Sequence, residues 1–356
     1  MFVDLHRLCI RSDSSLRQAI VSMDANECGI VLVVDEENRL LDAIRDADIR
    51  RVILAGIDLE TPVGALRDWR KCSSDFLPLT APFNSEAADL LSLMQERIVR
   101  QIPLLDNDQR VVGLVMQHDL LPGDGLPLRA VVMAGGYGHR LRPLTDQMPK
   151  VMLPIGDRPL LERILQQLRE TGIREVNLAI HYKAEMISQY FGDGSKFGIV
   201  IRYVKEEEPL GTAGALSLLD AADEPLLVIN GDILTRIDFR AMLDFHREHK
   251  AEMTVAVREH QVSVPYGVVD TDGVRITGIV EKPVFRHFIN AGIYLLSPAA
   301  CRLVPRRQRF DMTDLICRLV GEGRQVVSFP IREYWLDIGG VETYQKALDD
   351  LAKTAL

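Results

Sequence analysis

The 356-residue chain is 47% apolar and 26% charged, enough apolar material for two hydrophobic cores and more length than one domain usually holds. Its formal net charge of −9, from 42 basic and 51 acidic residues, argues against a nucleic-acid-binding surface, and no apolar stretch approaches the ~20 residues of a membrane span. Five cysteines (Cys9, Cys28, Cys72, Cys301, Cys317) lie far apart with no Cys-x-x-Cys pair, a pattern that suggests neither a disulfide frame nor a zinc site; with the charges in "MFVDLHRLCIRSD" they predict buried thiols in a cytoplasmic protein.

From the start of the chain, residues 14–49 and 85–120 read as two gap-free copies of one unit: Met23 falls on Met94, Asp35 on Asp106, Arg39 on Arg110 and Asp48 on Asp119. Each copy predicts an amphipathic helix ("SLRQAIVSMDAN", "EAADLLSLMQERI"), a strand, an acidic turn, a second apolar strand and a short helix beginning near the last Asp. The pattern resembles the tandem CBS (Bateman) module, here residues 1–121 in copies of about 1–60 and 70–121. That resemblance implies an adenine nucleotide held between the copies, with an Asp at the start of the last helix on the ribose and a Thr or Ser just upstream on the phosphate. Asp48 and Asp119 match the first role, but Arg45 and Met116 stand where the hydroxyl is usual. Read from the residues alone, each Asp is a helix N-cap.

"LPGDGLPL" (121–128) has linker composition, and the boundary is placed there, with 122–128 as the linker and 129–356 as the second domain. Beyond it, "AVVMAG", "EVNLAI", "IVIRYV" and "PLLVIN" alternate with helical patterns: "PLLERILQQLRETG", a helix near 183–191 and one from about Thr212. The alternation predicts an α/β fold whose mixed, mostly parallel sheet is flanked by helices and binds ligands at the carboxyl ends of its strands.

"AVVMAGGYGHRLRPLTDQMPK" (130–150) sits at such an end. A glycine turn after a buried strand lets backbone N–H groups approach phosphate oxygens. The third glycine of a dinucleotide fingerprint and the Gly-Lys-Ser/Thr of a P-loop are both missing. Arg140, Arg142, Lys150 and Arg158 form a basic set that runs against the background charge, and such a set on a proline-stiffened loop suits a triphosphate whose pyrophosphate departs.

The string "GGYGHRLRPLT…PKVMLPIGDRPLLE", followed by "EEEPLGTAGAL", "VINGD", "YGVV", "VEKP", "INAGIYLLSP" and "YWLDIG", resembles the sugar-1-phosphate nucleotidyltransferases over essentially all of residues 129–350. The resemblance implies a Rossmann-like domain of the GT-A type that joins a nucleoside triphosphate to a sugar 1-phosphate and releases pyrophosphate. It also implies roles. Met133, Ala134, Gly135, Gly136, Gly138, Gly211 and Thr212 line the nucleotide, and Arg140 and Lys150 take the pyrophosphate charge. Lys282 steers the sugar phosphate; Gly267, Glu281 and Asn290 line the sugar pocket. Asp232 and Asp337 hold Mg²⁺, the cofactor that suits isolated carboxylates at strand ends. By themselves Asp232 reads as a turn cap, Glu281–Lys282 as an exposed charged pair and Thr212 as a helix N-cap. None of the eight histidines is assigned to chemistry; His139, in the loop, is expected to face solvent or brush the substrate.

Two rivals remain at this level. A glycosyltransferase would use an Asp-x-Asp metal motif, and Asp270-Thr-Asp272 has that spelling, though its Asp-Gly context predicts a hairpin turn. An inactive transferase domain on a CBS-type sensor is the other. "EEEPLGTAG" and "INAGIYLLSP" look more like the guanylyltransferase branch, and a CBS pair ahead of this domain is similar to the bacterial glucosamine-1-phosphate guanylyltransferases of cell-surface glycan synthesis. GTP with glucosamine 1-phosphate is therefore expected, followed by mannose or heptose 1-phosphate. Self-association is expected from both resemblances, and the chain's end after "VETYQKALDDLAKTAL" predicts no β-helical acyltransferase domain.

Overall fold

The computed structural model describes residues 4–66, 78–97, 99–120, 125–126, 128–220 and 223–353. Cys72 and residues 121–124 and 127 of the expected linker lie outside the described residues. The chain divides into two compact units, Met1–Asp124 and Gly125–Leu356.

In the first unit β1 (Cys9–Ile10) runs parallel to β2 (Ile30–Val34), which pairs antiparallel with β3 (Leu40–Arg45). The second copy repeats this with β4 (Ala81–Pro82), β5 (Gln101–Leu105) and β6 (Val111–Met116). The expected amphipathic helices span Leu16–Asn26 and Ala87–Arg97. Ser15 starts the first through a capping box: its hydroxyl accepts from the Gln18 N–H at 3.2 Å, and Gln18 Oε1 accepts from the Ser15 N–H at 2.9 Å. The acidic turns of the two copies lie against each other, since Arg39 and Arg110 form a β-bridge and the Val111 N–H donates to the Asn38 carbonyl at 3.0 Å. Beneath them Ile30, Leu32 and Val34 share one buried cluster with Leu105, Val111 and Leu114, so neither copy closes its core alone.

Asp48 and Asp119 are not N-caps. The helix Asp46–Leu54 begins two residues before Asp48, and the Asp48 carboxylate reaches back to accept from the Arg45 N–H at 2.9 Å. Asp119 does the same for the Met116 N–H at 3.0 Å, ahead of the helix Gln117–Leu120. Both aspartates thus occupy the third helical position and satisfy a donor outside the helix. Asp48 is buried, with Arg45 and Arg51 beside it, whereas Asp119 is exposed. A symmetric sequence match has become two unequal sites.

In the second unit β7 (Arg129–Met133) leads into the glycine loop, followed by the small hairpin β8 (Pro154–Ile155) and β9 (Arg158–Pro159). Then come β10 (Glu175–Ile180), β11 (Val200–Lys205), β12 (Leu226–Asn230), β13 (Ile233–Thr235), β14 (Met253–Ser263), β15 (Val268–Asp272), β16 (Arg275–Val280), β17 (Val284–Leu296), β18 (Val326–Pro330) and β19 (Trp335–Asp337). Seven of them form one sheet in the order β11-β10-β7-β12-β17-β14-β18. Strands β11, β10, β7 and β12 are parallel and β18 is parallel to β14, while β17 runs antiparallel to both its neighbours. The expected mixed, mostly parallel sheet is therefore what the chain forms. From β7 the chain winds outward to β10 and β11 on one side and returns to β12 on the other, which opens a crevice at the carboxyl end of β7.

The helix Leu160–Glu170 buries Leu160, Leu161, Ile164, Leu165 and Leu168, the three-and-four spacing that puts one apolar stripe on the sheet. Each such side chain contributes about 1.5–3 kcal/mol when fully buried. The helix expected from Thr212 is one α-turn, Gly211–Gly214, continued as a 3-10 turn over Ala215–Leu218. Leu126 and Leu128, assigned to the linker composition, are buried in the second unit, and the Leu126 N–H donates to the Gly172 carbonyl at 3.0 Å. Beyond the sheet, the ends of β14 and β17 continue as an exposed two-stranded arm joined through the β15–β16 hairpin. Asp270 and Asp272 are exposed residues of β15, and the turn itself is Gly273–Val274.

Of the thiols, Cys28 is buried and Cys9 and Cys301 are half-buried, their pKa values pushed up to about 11 by desolvation. Cys317 departs from the buried expectation: it lies on the outer face of the helix Met312–Gly321, opposite Met312, Leu315 and Leu319. Among the described residues no helix is long and apolar enough to cross a membrane.

Replacing Asp48 by Ala removes a capping-box acceptor and leaves Arg45 and Arg51 without it. The expected loss is about 1–2 kcal/mol of stability in the first unit, read as a lower urea midpoint of its unfolding transition; an unchanged midpoint contradicts the capping role.

Candidate active site

The glycine loop is folded by its own residues. Gly138 takes the left-handed conformation (φ +66°), and a Cβ there would stand 2.8 Å from Thr145 Cγ2 and 3.1 Å from Lys150 Cβ. The Thr145 hydroxyl donates to the Gly138 carbonyl at 2.8 Å. The loop therefore doubles back, and Lys150 emerges from a 3-10 turn, Lys150–Met152, anchored by buried Val151. Gly231, just past β12, packs where a Cβ would lie 2.7 Å from the Met133 carbonyl oxygen and 2.8 Å from Val151 Cγ1. Its N–H donates to that same carbonyl at 3.0 Å. Two strand ends are clamped together in this way, and Lys150 meets Asp232 across the clamp at 2.6 Å.

Asp337 arrives from elsewhere in the chain. Strand β19 pairs antiparallel with β13, setting Asp337 opposite Ile233, and the Ile338 N–H donates to the Asp232 carbonyl at 2.9 Å. Burial first, and then the neighbouring Asp232 charge, push the Asp337 carboxyl above its ordinary value against the lowering pull of Lys150 and Arg140. Arg140 is close on the other side, with one guanidinium nitrogen 3.6 Å from the point where a Cβ on Gly339 would stand. Arg140, Lys150, Asp232 and Asp337 thus share one charged cluster assembled from the ends of β7, β12 and β19.

Four further placements matter. The Met133 carbonyl belongs to the clamp, the Ala134 N–H donates to the Ala179 carbonyl at 2.8 Å, Gly135 packs against His181 and Glu206, and Gly136 leaves the loop open on its outer side. Gly267 and Glu281 meet on the arm, where a Cβ on Gly267 would come 2.9 Å from Glu281 Oε2. Asn290, at the root of the arm, accepts from the Gly292 N–H at 3.0 Å. Lys282, held in a left-handed conformation (φ +46°), is exposed, and among the described residues no hydrogen bond or ion pair joins it to the aspartates.

Other expectations are corrected. Arg142 and Arg158 are not part of the cluster: Arg142 pairs with Asp146 at 3.3 Å, and Arg158 with Asp157 at 3.2 Å and Glu162 at 3.7 Å. Each found a nearer carboxylate on its own surface. Thr212 is not an N-cap of its helix, a place taken by Leu210; its N–H donates to Asp311 Oδ1 at 2.9 Å, and its hydroxyl accepts from the Met312 N–H at 2.8 Å.

Tyr137, His181, Glu206 and Asn230 were not singled out from sequence. The Tyr137 hydroxyl lies 3.0 Å from His181 Nε2, and His181 Nδ1 lies 2.8 Å from the Glu206 carbonyl oxygen. Since a carbonyl only accepts, Nδ1 carries the proton and Nε2 accepts from Tyr137. His139 is exposed and stacks on Tyr137 at 5.4 Å between ring centroids. Asn230, the polar end of the apolar strand "LLVIN", is the fourth, and its position just before Gly231-Asp232 was the available signal. By contrast His246, bonded to Thr254 at 2.8 Å and with its pKa lowered to about 4 by burial, is a core residue.

Among the described residues two buried side-chain oxygens, Asn230 Oδ1 and Asp337 Oδ1, have no hydrogen-bond partner. Asp337 Oδ1 lies beside a second carboxylate, and such a carboxylate pair is a donor set that fits an ion taking water and phosphate oxygens in its remaining positions. Among the described residues no third His, Cys, Asp or Glu completes a self-sufficient metal cluster.

A family model described as nucleotidyl transferase matches residues 129–354, more than half of the chain. The chain belongs to the nucleotidyl transferase family. A CBS domain model matches residues 4–55 and 75–122, the two copies of the first unit. A mannose-1-phosphate guanyltransferase of Candida albicans is 35% identical over 223 residues, 60% of this chain and 61% of that protein. A mannose-1-phosphate guanylyltransferase catalytic subunit beta of Danio rerio is 37% identical over 221 residues, again 60% and 61%. The chain thus spans about three-fifths of these relatives' length. Among solved structures, HddC from Yersinia pseudotuberculosis, also solved complexed with GMP-PN, is similar to this nucleotidyl transferase at 28% identity and a TM-score of 0.50, covering 63% of this chain and 99% of that one.

An Asp337→Asn variant, tested with chelator present, is expected to melt higher than the parent at pH 7–8. A carboxyl whose folded pKa is raised imposes a penalty once it ionises, so the gain should fade as pH falls through that raised value and be gone by the ordinary carboxylate value. Thermal melts across that range check this, and a lower melting point at neutral pH contradicts the charge assignment.

Proposed function

We propose that this protein is a sugar-1-phosphate nucleotidyltransferase, joining a nucleoside triphosphate to a hexose 1-phosphate with release of pyrophosphate. The observation that carries the reading is the convergence of Arg140, Lys150, Asp232 and Asp337 on the carboxyl end of β7, beside a glycine loop with open backbone. Two cations against two carboxylates leave this cluster formally neutral, so a polyphosphate gains little from it until a further positive charge arrives. Asp232 and Asp337 would hold Mg²⁺, which when bound supplies that charge and polarises phosphoryl oxygens.

The remaining work belongs to the chain. The loop amides at Gly135, Gly136 and Gly138 cradle the triphosphate, and Arg140 and Lys150 neutralise the charge that builds on the departing pyrophosphate. The nucleophile is a phosphate oxygen, already deprotonated at pH 7, so no general base is required and the histidines stay outside the chemistry. Lys282, on the arm with Glu281 and Gly267, brings the sugar phosphate to the α-phosphorus against the repulsion of two polyanions. Its exposed position fits a residue that engages once substrate is bound.

The guanylyltransferase branch is the reading within this class, supported by the names of the relatives and by "EEEPLGTAG". Glucosamine 1-phosphate and mannose 1-phosphate are the leading acceptors. An adenine nucleotide at the CBS unit, near Asp48 and Asp119, is the proposed regulatory ligand. The glycosyltransferase alternative loses its motif, because Asp270 and Asp272 are exposed hairpin residues apart from the aspartate cluster.

Pyrophosphate release, measured with GTP, ATP, UTP and dTTP against glucosamine, mannose and glucose 1-phosphates, should be fastest with GTP; preference for UTP or dTTP overturns the guanylyl reading, and no release with any pair overturns the class. Lys282→Ala should lower kcat/KM for the sugar phosphate by about 100-fold or more while leaving the melting temperature in place.

A further inference from the structure

The second unit also carries a hollow at the other end of its sheet. It lies where β12 and β14 begin and β17 ends, so the five residues of β12, roughly 17 Å by strand rise, separate it from the aspartate cluster. Its volume is about 490 Å³, within the roughly 300–1,000 Å³ of small-molecule sites. Arg247 and Lys250, at and just beyond the end of the helix Phe239–Glu248, line it together with Arg302. All three are exposed, and among the described residues none forms an ion pair or a side-chain hydrogen bond. In a chain of net charge −9, three such cations around one hollow are a local reversal of sign.

Cations near the carboxyl end of a helix often serve the helix itself. Here the Phe245, His246 and Arg247 carbonyls already accept from the His249, Ala251 and Lys250 N–H groups at 3.1, 3.0 and 3.0 Å, so those carbonyls do not need the side chains. The acid that borders the hollow, Glu252, is answered as well: its Oε2 accepts from Ser297 Oγ at 2.9 Å and lies 3.5 Å from Arg324 Nη1. What remains is an excess of positive charge with no protein group to meet it.

The wall of the hollow adds a neutral donor. His246 lines it while only 4% exposed, and its Nδ1 lies 2.8 Å from Thr254 Oγ1. Among the described residues neither side chain has another hydrogen-bond partner. Thr254 is fully buried, so its O–H donates to Nδ1; the reverse would leave a buried hydroxyl proton without an acceptor. Burial keeps this imidazole neutral at pH 7, and its own proton therefore sits on Nε2. An unpartnered N–H and three unpaired cations ask for the same thing, an anionic oxygen. We propose that the hollow binds the phosphoryl group of a small phosphorylated molecule, with His246 Nε2, Arg247, Lys250 and Arg302 donating to its oxygens, at a site separate from the catalytic cluster.

The test titrates the full chain with inorganic pyrophosphate by calorimetry in metal-free buffer. The parent should bind it, Arg247→Ala/Arg302→Ala should weaken that binding about 10-fold or more, and Arg140→Ala in the catalytic cluster should leave it in place. The same two charges removed at exposed Arg202 and Arg318 should also leave it in place. Should the Arg247/Arg302 pair melt lower than the parent, Arg302→Gln alone gives the reading in the same direction. The site is overturned if the parent binds no pyrophosphate, if Arg247→Ala/Arg302→Ala binds it as the parent does, if Arg140→Ala abolishes the binding, or if the Arg202/Arg318 pair weakens it equally. GTP and inorganic phosphate, titrated alongside, separate the sources of the phosphoryl group: GTP binding that is tighter than pyrophosphate and lost with Arg247 and Arg302 identifies a nucleotide, and the opposite order an inorganic anion.

Discussion

The Lys150–Asp232 ion pair is the contact on which the rest of the second unit's site depends. It closes over two strand ends already clamped by the Gly231 N–H on the Met133 carbonyl, and Lys150 is nearly buried while it does so, with its side chain 11% exposed. A buried ion pair is a weak source of stability, because desolvation offsets most of the Coulomb gain. Its value here is positional. It holds an ammonium and a carboxylate at the carboxyl end of β7, where the glycine loop opens.

Around that pair the charges are balanced and close to frustrated. Asp337 is brought beside Asp232 by the short β13–β19 ribbon, at the expense of burying a second carboxylate with one oxygen unpartnered. Such an arrangement persists only where the surrounding fold over-determines it, and the ribbon's backbone hydrogen bonds provide that constraint. The same economy explains why Arg142 and Arg158, equally basic in sequence, take no part: with a carboxylate of their own within 3.3 Å they have no charge to spare.

The cleft also has two ends of opposite character. Cations and the aspartate pair gather at the β12 side, while the β10–β11 side carries an imidazole, a tyrosine hydroxyl and a fixed carboxylate. In the first unit the equivalent lesson is asymmetry: two copies share a capping aspartate, yet one is buried among arginines and the other is exposed, so the two halves cannot treat a ligand alike.

The sequence by itself determined the alternation of strands and helices, the internal repeat, and the loop, aspartates and charged pair to which the chemistry is assigned, because each is written in local patterns: apolar periodicity, glycine turns and runs of fixed spelling. It could not say that Asp48 and Asp119 sit a turn into their helices, nor that Thr212 serves a neighbouring helix rather than its own, since capping depends on where the first hydrogen-bonded turn begins and on which partner packs nearby. Nor could it find Tyr137, His181 and Glu206, which lie at the ends of three different strands. Only the order in which those strands assemble brings them together, and strand order is decided by burial over the whole sheet rather than by any short stretch of residues.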